Sequence, residues 1–267
     1  MIHSTMTWGS DMSEHWYDQN GKPCYEVLKA DGKSMRDTNL SDARKLGLVP
    51  SVTTVLDVLN KPALTIWKIE QGIMAALTLP RLTDEPESAW LKRVREDSGQ
   101  QAKDAADEGT RIHDAIERDF KGLVVDERYR PHVAGVRKHL AELFPHVNDW
   151  VSEKSFCHPY GYGGKVDLHS PSTGIVVDFK GKDGDFTDGK KLAYDQHYQL
   201  AAYQSGLCPL SNAVCANVFF SRTHPGKVSS HIWTVKDMYE GWHIFQAALN
   251  LWKAIKKYDP SIQAKAA

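Results

Sequence analysis

The chain has 267 residues, of which 41% are hydrophobic and 25% are charged, and this composition excludes a mainly disordered, collagen-like or coiled-coil protein. Lysine plus arginine (33) nearly equals aspartate plus glutamate (34), so the sequence lacks the basic excess typical of a nucleic-acid-binding domain. An enzyme acting on nucleic acid is still compatible with this balance, because acidic metal ligands cancel basic side chains in the sum. A mean hydropathy of -0.47 and the lack of a long uncharged apolar run predict no membrane span.

The N-terminus and the cysteines predict a protein of a reducing compartment. Residues 1–13 are polar and lack the apolar stretch of a secretory signal. Wide spacing of the cysteines predicts ordinary buried, reduced thiols rather than a disulfide framework. An iron–sulfur cluster requires closer ligands, so none is expected. The four cysteines are Cys24, Cys157, Cys208 and Cys215.

Residues 1–49 are assigned to an N-terminal β-hairpin extension, and residues 50–267 to the main domain. The hairpin signal is Asn20-Gly21 between the apolar segments 16–17 and 25–28. The main domain begins with a helical region at 50–145. It is predicted to contain a short helix with Ser51 or Thr53 as its N-cap and three longer helices, at about 62–77, 87–120 and 128–143.

The sheet core is predicted at 150–235, and a closing helix follows at 237–257. Turns rich in Gly, Pro and Ser separate three extended segments, which predict a three-stranded meander. A helix and two more strands complete the core. In chain order these six elements lie at about 150–157, 164–169, 175–180, 190–204, 213–221 and 228–235. This order predicts an α/β fold with helices on the faces of a central sheet.

Two neighbouring predicted strands carry carboxylates, Asp167 on one and Asp178 on the next. Strand side chains alternate between faces, so Asp178 and Lys180 share one face while Val177 and Phe179 point into the core. If the strands pair through the short turn between them, Asp167 and Asp178 converge. Two carboxylates beside an ammonium form a poor structural ion cluster but a good site for a hard divalent cation.

The Asp-x-Lys pattern alone is weak, because the chain contains it four times, at 31–33, 119–121, 178–180 and 188–190. The copies at 31–33 and 188–190 lie in glycine-containing, turn-like sequence. Only the copy at 178–180 ends a β-branched run and follows a Gly-x-x-Asp strand. A solvated salt bridge between strand ends is the alternative interpretation of this copy.

Two further motifs flank these strands. Gly109 and His113 are four residues apart in a predicted helix upstream, and Gln199 and Tyr203 share a helix face downstream. In chain order, the Gly-x-x-x-His helix, the Gly-x-x-Asp strand, the Asp-x-Lys strand and the Gln-x-x-x-Tyr helix resemble the PD-(D/E)XK nuclease superfamily, specifically its RecB-like exonuclease branch. The segment 50–68 is also similar to phage-encoded exonucleases and to the mitochondrial genome maintenance exonuclease. The resemblance spans about residues 50–207.

The resemblance implies a restriction-endonuclease-like fold, with a central mixed β-sheet flanked by helices and an N-terminal helical arch. It implies a metal-dependent deoxyribonuclease that hydrolyses phosphodiester bonds from single-stranded ends in recombination, repair or phage replication. The implied cofactors are one or two Mg²⁺ or Mn²⁺ ions, with no activity expected in Ca²⁺. The implied partners are DNA with single-stranded or free ends and a single-strand annealing protein, in the cytoplasm of a bacterial or phage-infected cell and not at a membrane.

The resemblance also implies residue roles. Asp167 and Asp178 are the anionic metal ligands, His113 adds a nitrogen ligand, and the Phe179 carbonyl adds an oxygen. Lys180 orients or deprotonates the attacking water and stabilises the developing charge. Gln199 and Tyr203 line the path of the scissile strand, where Tyr203 stacks on a base or contacts a phosphate. The residues assigned to DNA contact are Ser51, Thr53, Arg111, Lys182, Gln199 and Tyr203.

Several of these assignments keep alternatives. Glu153 either binds a second metal ion, directly or through water, or is a solvated strand-edge carboxylate. Ser51 and Thr53 either present hydroxyls to a phosphate or only cap a helix. Gly181 departs from the family, which commonly has Thr or Ser there, so one contact beside the lysine is expected to be missing. For the whole chain, the alternatives are a structure-specific endonuclease and a catalytically silent nuclease fold that binds nucleic acid.

Overall fold

The computed structural model describes residues 14–60, 62–209 and 212–261. These residues form an α/β fold with a five-stranded mixed sheet and two small two-stranded sheets. They divide into two compact units. The first comprises the described residues of Met1–Val58, Ser155–Lys165 and Phe245–Ala267, and the second those of Leu59–Lys154 and Val166–Ile244.

The helices are α1 (Leu40–Leu46), α2 (Val52–Leu56), α3 (Pro62–Thr78), α4 (Glu87–Phe120), α5 (Arg130–Leu143), α6 (His197–Leu207) and α7 (Val235–Lys256), and a 3-10 turn at Glu127–Tyr129 leads into α5. The strands are β1 (Trp16–Tyr17), β2 (Glu26–Leu28), β3 (Met35–Asp37), β4 (Val49–Pro50), β5 (Val151–His158), β6 (Tyr162–His169), β7 (Val176–Lys182), β8 (Cys215–Ser221) and β9 (Val228–Trp233). Among the described helices, none combines the length and the apolar composition that crossing a bilayer requires.

The first unit contains the predicted hairpin, which is shorter than predicted. Across the turn Tyr17 forms an antiparallel bridge with Pro23, and the Cys24 amide donates to the Trp16 carbonyl (2.8 Å). The Asn20-Gly21 turn forms, with Gly21 at φ 80° and its amide donating to the Asp18 carbonyl (3.0 Å). Strand β1 before this turn pairs antiparallel with β4, whereas β2 after it pairs with β3. The glycine signal therefore identified the turn and the short pairing across it, but not the second partner of β1, which lies further along the chain.

Side-chain caps start both short helices of this unit. The sequence pattern did not predict α1, where Asn39 and Asp42 form a reciprocal capping box. Helix α2 begins at Ser51, whose hydroxyl accepts a hydrogen bond from the Thr54 amide (3.0 Å). The prediction of Ser51 as an N-cap is confirmed.

The strand order of the large sheet is β5-β6-β7-β8-β9. Strands β6 and β7 are antiparallel, β7 and β8 are parallel, and β8 and β9 are antiparallel. A parallel pair requires a crossover connection, and α6 lies in the connection between β7 and β8. Strand β8 is buried along its whole length, which is typical of parallel strands covered on both faces.

Helices α4 and α5 pack on one face of this sheet in the second unit. Their apolar side chains form one core with inward-facing side chains of β6, β7 and β8, because successive residues of a strand point to opposite faces of the sheet. As predicted, Val177 and Phe179 belong to this core, so Asp178 and Lys180 point to the other face. Members of this core include Ile112, Ile116, Val136, Leu140, Leu168, Val177, Phe179, Val218 and Phe220.

Two local predictions are wrong. The helix predicted at 190–204 begins only at His197, because side-chain acceptors capture the amides before it: Tyr194 N–H, for example, donates to Gln196 Oε1 (2.7 Å). The prediction of buried thiols is correct for Cys215, where burial raises the pKa of the thiol to about 12. It is wrong for the other cysteines, which are partly exposed.

Candidate active site

A cleft of about 430 Å³ in the second unit brings the predicted motifs together. His113 comes from α4, Asp167 from β6, Asp178 and Lys180 from β7, and Gln199 from α6. The imidazole, the two acids and the amine of the sequence pattern therefore line one cavity, although they come from three separate elements.

Asp167 lies where the backbone pairing of β6 and β7 gives way to side-chain contacts. Leu168 is still paired with Val177, but next to this pair the Asp167 Oδ2 accepts the hydrogen bond of the Phe179 amide (2.7 Å). The same oxygen is 3.1 Å from His113 Nε2. Burial disfavours the carboxylate, but the His113 and Lys180 charges outweigh it and hold the pKa of Asp167 below its usual range.

Asp178 is almost fully buried, with 2% of its surface exposed. Its two oxygens accept hydrogen bonds from Lys180 Nζ (2.9 Å) and Asn217 Nδ2 (2.7 Å). Asn217 Oδ1 in turn accepts a hydrogen bond from Trp233 Nε1 (2.7 Å). Burial raises the pKa of Asp178, the Asp167 charge raises it further, and the Lys180 ammonium opposes both. Three strands, β7, β8 and β9, thus fix the orientation of this carboxylate.

Lys180 lies between Asp178 and Gln199, whose Oε1 is 3.4 Å from Nζ. Burial alone would lower the pKa of Lys180, but the charges of Asp178 and Asp167 raise it above its usual value. Lys180 is therefore an ammonium that donates hydrogen bonds.

His113 packs edge-on against the Phe179 ring, with the ring centroids 6.1 Å apart. Burial opposes a charge on this imidazole, but Asp167, Glu153 and Asp178 overcome it and raise the pKa of His113 to about 9. His113 and Asp167 therefore form a charged pair at neutral pH.

His113 also belongs to a second group of candidate metal ligands, with Glu117 and Glu153. One ligand atom of each of the three residues lies within 4.8 Å of the other two. Glu117 is one helical turn after His113 on α4. Glu153 is on β5 with φ 57°, a left-handed conformation that non-glycine residues rarely adopt. Glu153 is thus beside the imidazole, as the metal-ligand alternative requires.

Within the part of the chain that the structure describes, His113 and the two aspartates do not form a group this tight. Each aspartate is instead paired with a cationic side chain, Asp167 with His113 and Asp178 with Lys180. A cation held by both carboxylates would have to compete with these pairs. The Phe179 carbonyl points toward the Asp167 side of β7, because the amide and carbonyl of one strand residue face the same edge and the amide donates to Asp167.

Tyr203 does not line the cleft as predicted. Its hydroxyl accepts a hydrogen bond from Gln199 Nε2 (2.8 Å), and only 6% of its surface is exposed. Stacking on a nucleic-acid base requires an exposed ring, so that prediction is wrong. The observed role of Tyr203 is to fix the Gln199 amide, which faces Lys180.

The remaining predicted DNA contacts lie outside the cleft lining that the structure describes. Ser51 and Thr53 belong to the first unit, and their hydroxyls are 2.9 Å apart in the cap of α2. Arg111 pairs with Glu108 (3.2 Å) and lines a separate depression. Lys182 is partly buried at the end of β7.

Three residues of the site were not predicted from the sequence: Glu117, Asn217 and Arg222. The spacing of Glu117 from His113 was a usable signal, because residues four apart share a helix face. Asn217 is the lone amide in the apolar run of β8, and such a residue requires a buried partner. The sequence gave no comparable signal for Arg222, which follows β8 directly and lines the cleft.

Comparison with known proteins adds no assignment to this geometry. No family model matches the sequence, and no curated protein matches it. The functional interpretation therefore depends on the residues of the cleft.

Proposed function

We propose that the chain is a metal-dependent deoxyribonuclease of the PD-(D/E)XK type that degrades DNA from single-stranded ends. The observation that supports this most directly is the convergence of His113, Asp167, Asp178 and Lys180 in one cleft. The mixed sheet with its parallel β7–β8 pair is compatible with the restriction-endonuclease-like fold that the resemblance implies.

The donor atoms at the site fit a hard divalent cation. Asp167, Asp178 and the Phe179 carbonyl would hold one ion, and Glu117 with Glu153 would supply oxygen donors for a second. His113 belongs to both groups and adds the imidazole nitrogen that favours Mn²⁺ beside Mg²⁺. In phosphodiester hydrolysis a bound divalent ion neutralises phosphate charge and lowers the pKa of water.

The side chains of the cleft supply the other requirements of the reaction. Lys180 is an ammonium, so it orients the attacking water and stabilises charge on the phosphate rather than removing a proton. Gln199 limits the rotation of Lys180 through its Oε1, and Tyr203 holds Gln199 in turn. Asn217 keeps the Asp178 carboxylate turned toward the cleft.

Helices α3 and α4 are the candidate elements for admitting a free DNA end. Helix α4 has 34 residues and carries His113 near its C-terminal end, and α3 packs along it. Under the proposal these helices form the arch over the cleft through which a single strand enters.

Digestion of end-labelled single- and double-stranded DNA with Mn²⁺ tests the proposal. The parent protein should degrade the strands in Mn²⁺ or Mg²⁺ but not in Ca²⁺ or EDTA. Asp178→Ala and Lys180→Ala should each lower the rate by about 10²–10³-fold. Lys33→Ala is the matched control, because Lys33 has the same Asp-x-Lys context in an exposed turn. Strong cleavage in EDTA would contradict the proposal.

Circular single-stranded DNA separates the remaining alternatives. An end-dependent exonuclease leaves circles intact, whereas a structure-specific endonuclease opens them. If Lys180→Ala and the parent protein degrade linear DNA equally slowly, the chain is a nuclease fold that only binds nucleic acid.

A further inference from the structure

Arg222 lies beside the catalytic strand because of the parallel pairing of β7 and β8. Gly181 is in register with Phe220, and Lys182 with the last residue of β8. Arg222 follows directly, and its backbone amide donates to the Lys182 carbonyl (2.8 Å). Its side chain lines the same cleft as Lys180. The pairing thus brings an arginine that is distant in sequence next to the Asp-x-Lys motif.

Two glycines of the motifs border the Arg222 side chain. A Cβ atom added to Gly109 would lie 3.7 Å from Arg222 Cδ, and one added to Gly181 would lie 3.5 Å from the same atom and 3.1 Å from the Phe220 ring. A larger residue at 181 would therefore press on the Phe220 ring, and its contact with Arg222 would be of ordinary van der Waals length.

Three basic side chains, Lys180 and Arg222 in the cleft lining and Lys182 outside it, lie close enough for the charges of the first two to act on the third. Burial lowers the pKa of Lys182, and the charges of Arg222 and Lys180 lower it further. Asp183 Oδ1 accepts a hydrogen bond from Arg222 Nε (2.8 Å), but this carboxylate is mostly exposed, at 59%. Like charges held this close favour the binding of an anion between them.

We infer that Arg222 binds a backbone phosphate of the DNA strand in the cleft, next to the scissile phosphate. This inference rests on the proposed function. A planar guanidinium matches the geometry of phosphate oxygens better than an ammonium does, and a phosphate contact positions the strand without reading its sequence. Arg222 is therefore a substrate-binding residue, whereas Lys180 acts on the reacting group.

Binding and cleavage are measured separately to test this role. Binding of a fluorescein-labelled oligothymidylate of about 20 nucleotides is followed by anisotropy in EDTA, over a range of NaCl concentrations. Arg222→Gln should raise Kd about 10-fold and reduce the slope of log Kd against log salt by about 0.7. In Mn²⁺ it should raise KM similarly and leave kcat within about two-fold. Arg130→Gln, which removes the same charge outside the cleft lining, should change neither quantity.

A second variant keeps the test decisive if Arg222→Gln fails to fold. Asp183→Asn removes a negative charge beside the phosphate site while it retains the arginine, so Kd should fall. A higher Kd, which means weaker binding, would overturn the inference. If the parent cleaves DNA and Arg222→Gln binds like the parent, the inference is wrong and the proposed function stands. If the parent binds DNA through Arg222 but does not cleave it, the phosphate site stands and the nuclease proposal fails. If the parent neither binds nor cleaves DNA, both fail.

Discussion

Replacing Asn217 with alanine is expected to damage both the stability of the fold and the metal affinity of the site. Asn217 is fully buried and joins two buried groups, the Asp178 carboxylate at 2.7 Å and the Trp233 indole N–H at 2.7 Å. Asn217 is also the register partner of Asp178 across β7 and β8. Alanine at this position leaves an acceptor and a donor without their partner.

The magnitude follows from those two groups. A buried polar group that loses its partner costs about 1–3 kcal/mol, and the upper part of this range applies to the charged Asp178. The void left by the amide adds about 1 kcal/mol. The free energy of unfolding should therefore fall by about 3–5 kcal/mol. Metal affinity should fall about 10–100-fold, because loss of a group that orients a ligand has an effect of this size.

Urea unfolding followed by tryptophan fluorescence measures the first quantity, and Mn²⁺ titration of the folded variant measures the second. Gln204→Ala is the matched control, since Gln204 is a buried amide that bridges the carbonyls of Gly174 and Ala213 at 3.0 Å each. It should lose stability but keep its Mn²⁺ affinity. Equal losses of Mn²⁺ affinity in the two variants, or a stability loss below about 1 kcal/mol for Asn217→Ala, would refute the reasoning.

Two further predictions concern the fold. Gly135→Ala in α5 should destabilise the protein by about 1–3 kcal/mol, because the added Cβ would meet the Gly226 carbonyl oxygen at 2.5 Å. Gly72→Ala in α3 should stabilise the protein by up to about 1 kcal/mol, because the added Cβ would meet nothing within 4 Å. Urea unfolding of both variants checks that the two changes in stability have opposite signs. His158 Nδ1 accepts a hydrogen bond from the Tyr160 amide (3.1 Å), and burial lowers the pKa of His158 to about 4. Since the unfolded chain binds this proton more readily, stability should be full above the unfolded pKa of about 6.5 and fall as the pH decreases to about 4, by about 1–2 kcal/mol after allowance for partial exposure. His158→Asn should flatten this dependence, and an unchanged slope between pH 7 and 4 would contradict it.

Local patterns predicted the elements that depend on local chemistry. The periodicity of apolar residues indicated α4 at 87–120, and the structure has it at Glu87–Phe120. The pairing of β1 with β4 could not be predicted in the same way, because the Asn20-Gly21 signal favours a neighbouring partner. The late start of α6 was not predicted, because the Gln196 side chain accepts a hydrogen bond from the Tyr194 amide. Helix propensity does not account for such a side-chain acceptor.

In the candidate site too, relations within one element could be predicted from the sequence, whereas contacts between distant segments could not. Strand alternation was enough to predict that Asp178 and Lys180 share a face, since that relation lies within one strand. Asn217 and Arg222 reach the site through the register of a parallel pair whose members are 39 residues apart, as the Asn217–Asp178 hydrogen bond shows. Neither the register nor the burial of Tyr203 is visible in the sequence pattern, so the supporting residues were missed and the stacking of Tyr203 on a base was predicted wrongly.

The polar arrangement around Asp178 is difficult to explain by stability alone. Removing two charges from water often costs more than their attraction returns, and apolar replacements of buried ion pairs are frequently neutral or stabilising. The neighbouring positions on the same two strands use apolar packing, which requires no desolvation of charges: Phe179 and Val218 are register partners in the apolar core. At Asp178 the fold instead uses a fully buried amide and an indole to hold one carboxylate beside an ammonium. A requirement for charge at this end of the sheet accounts for that arrangement, and this argument for chemistry in the cleft does not depend on the resemblance to any family.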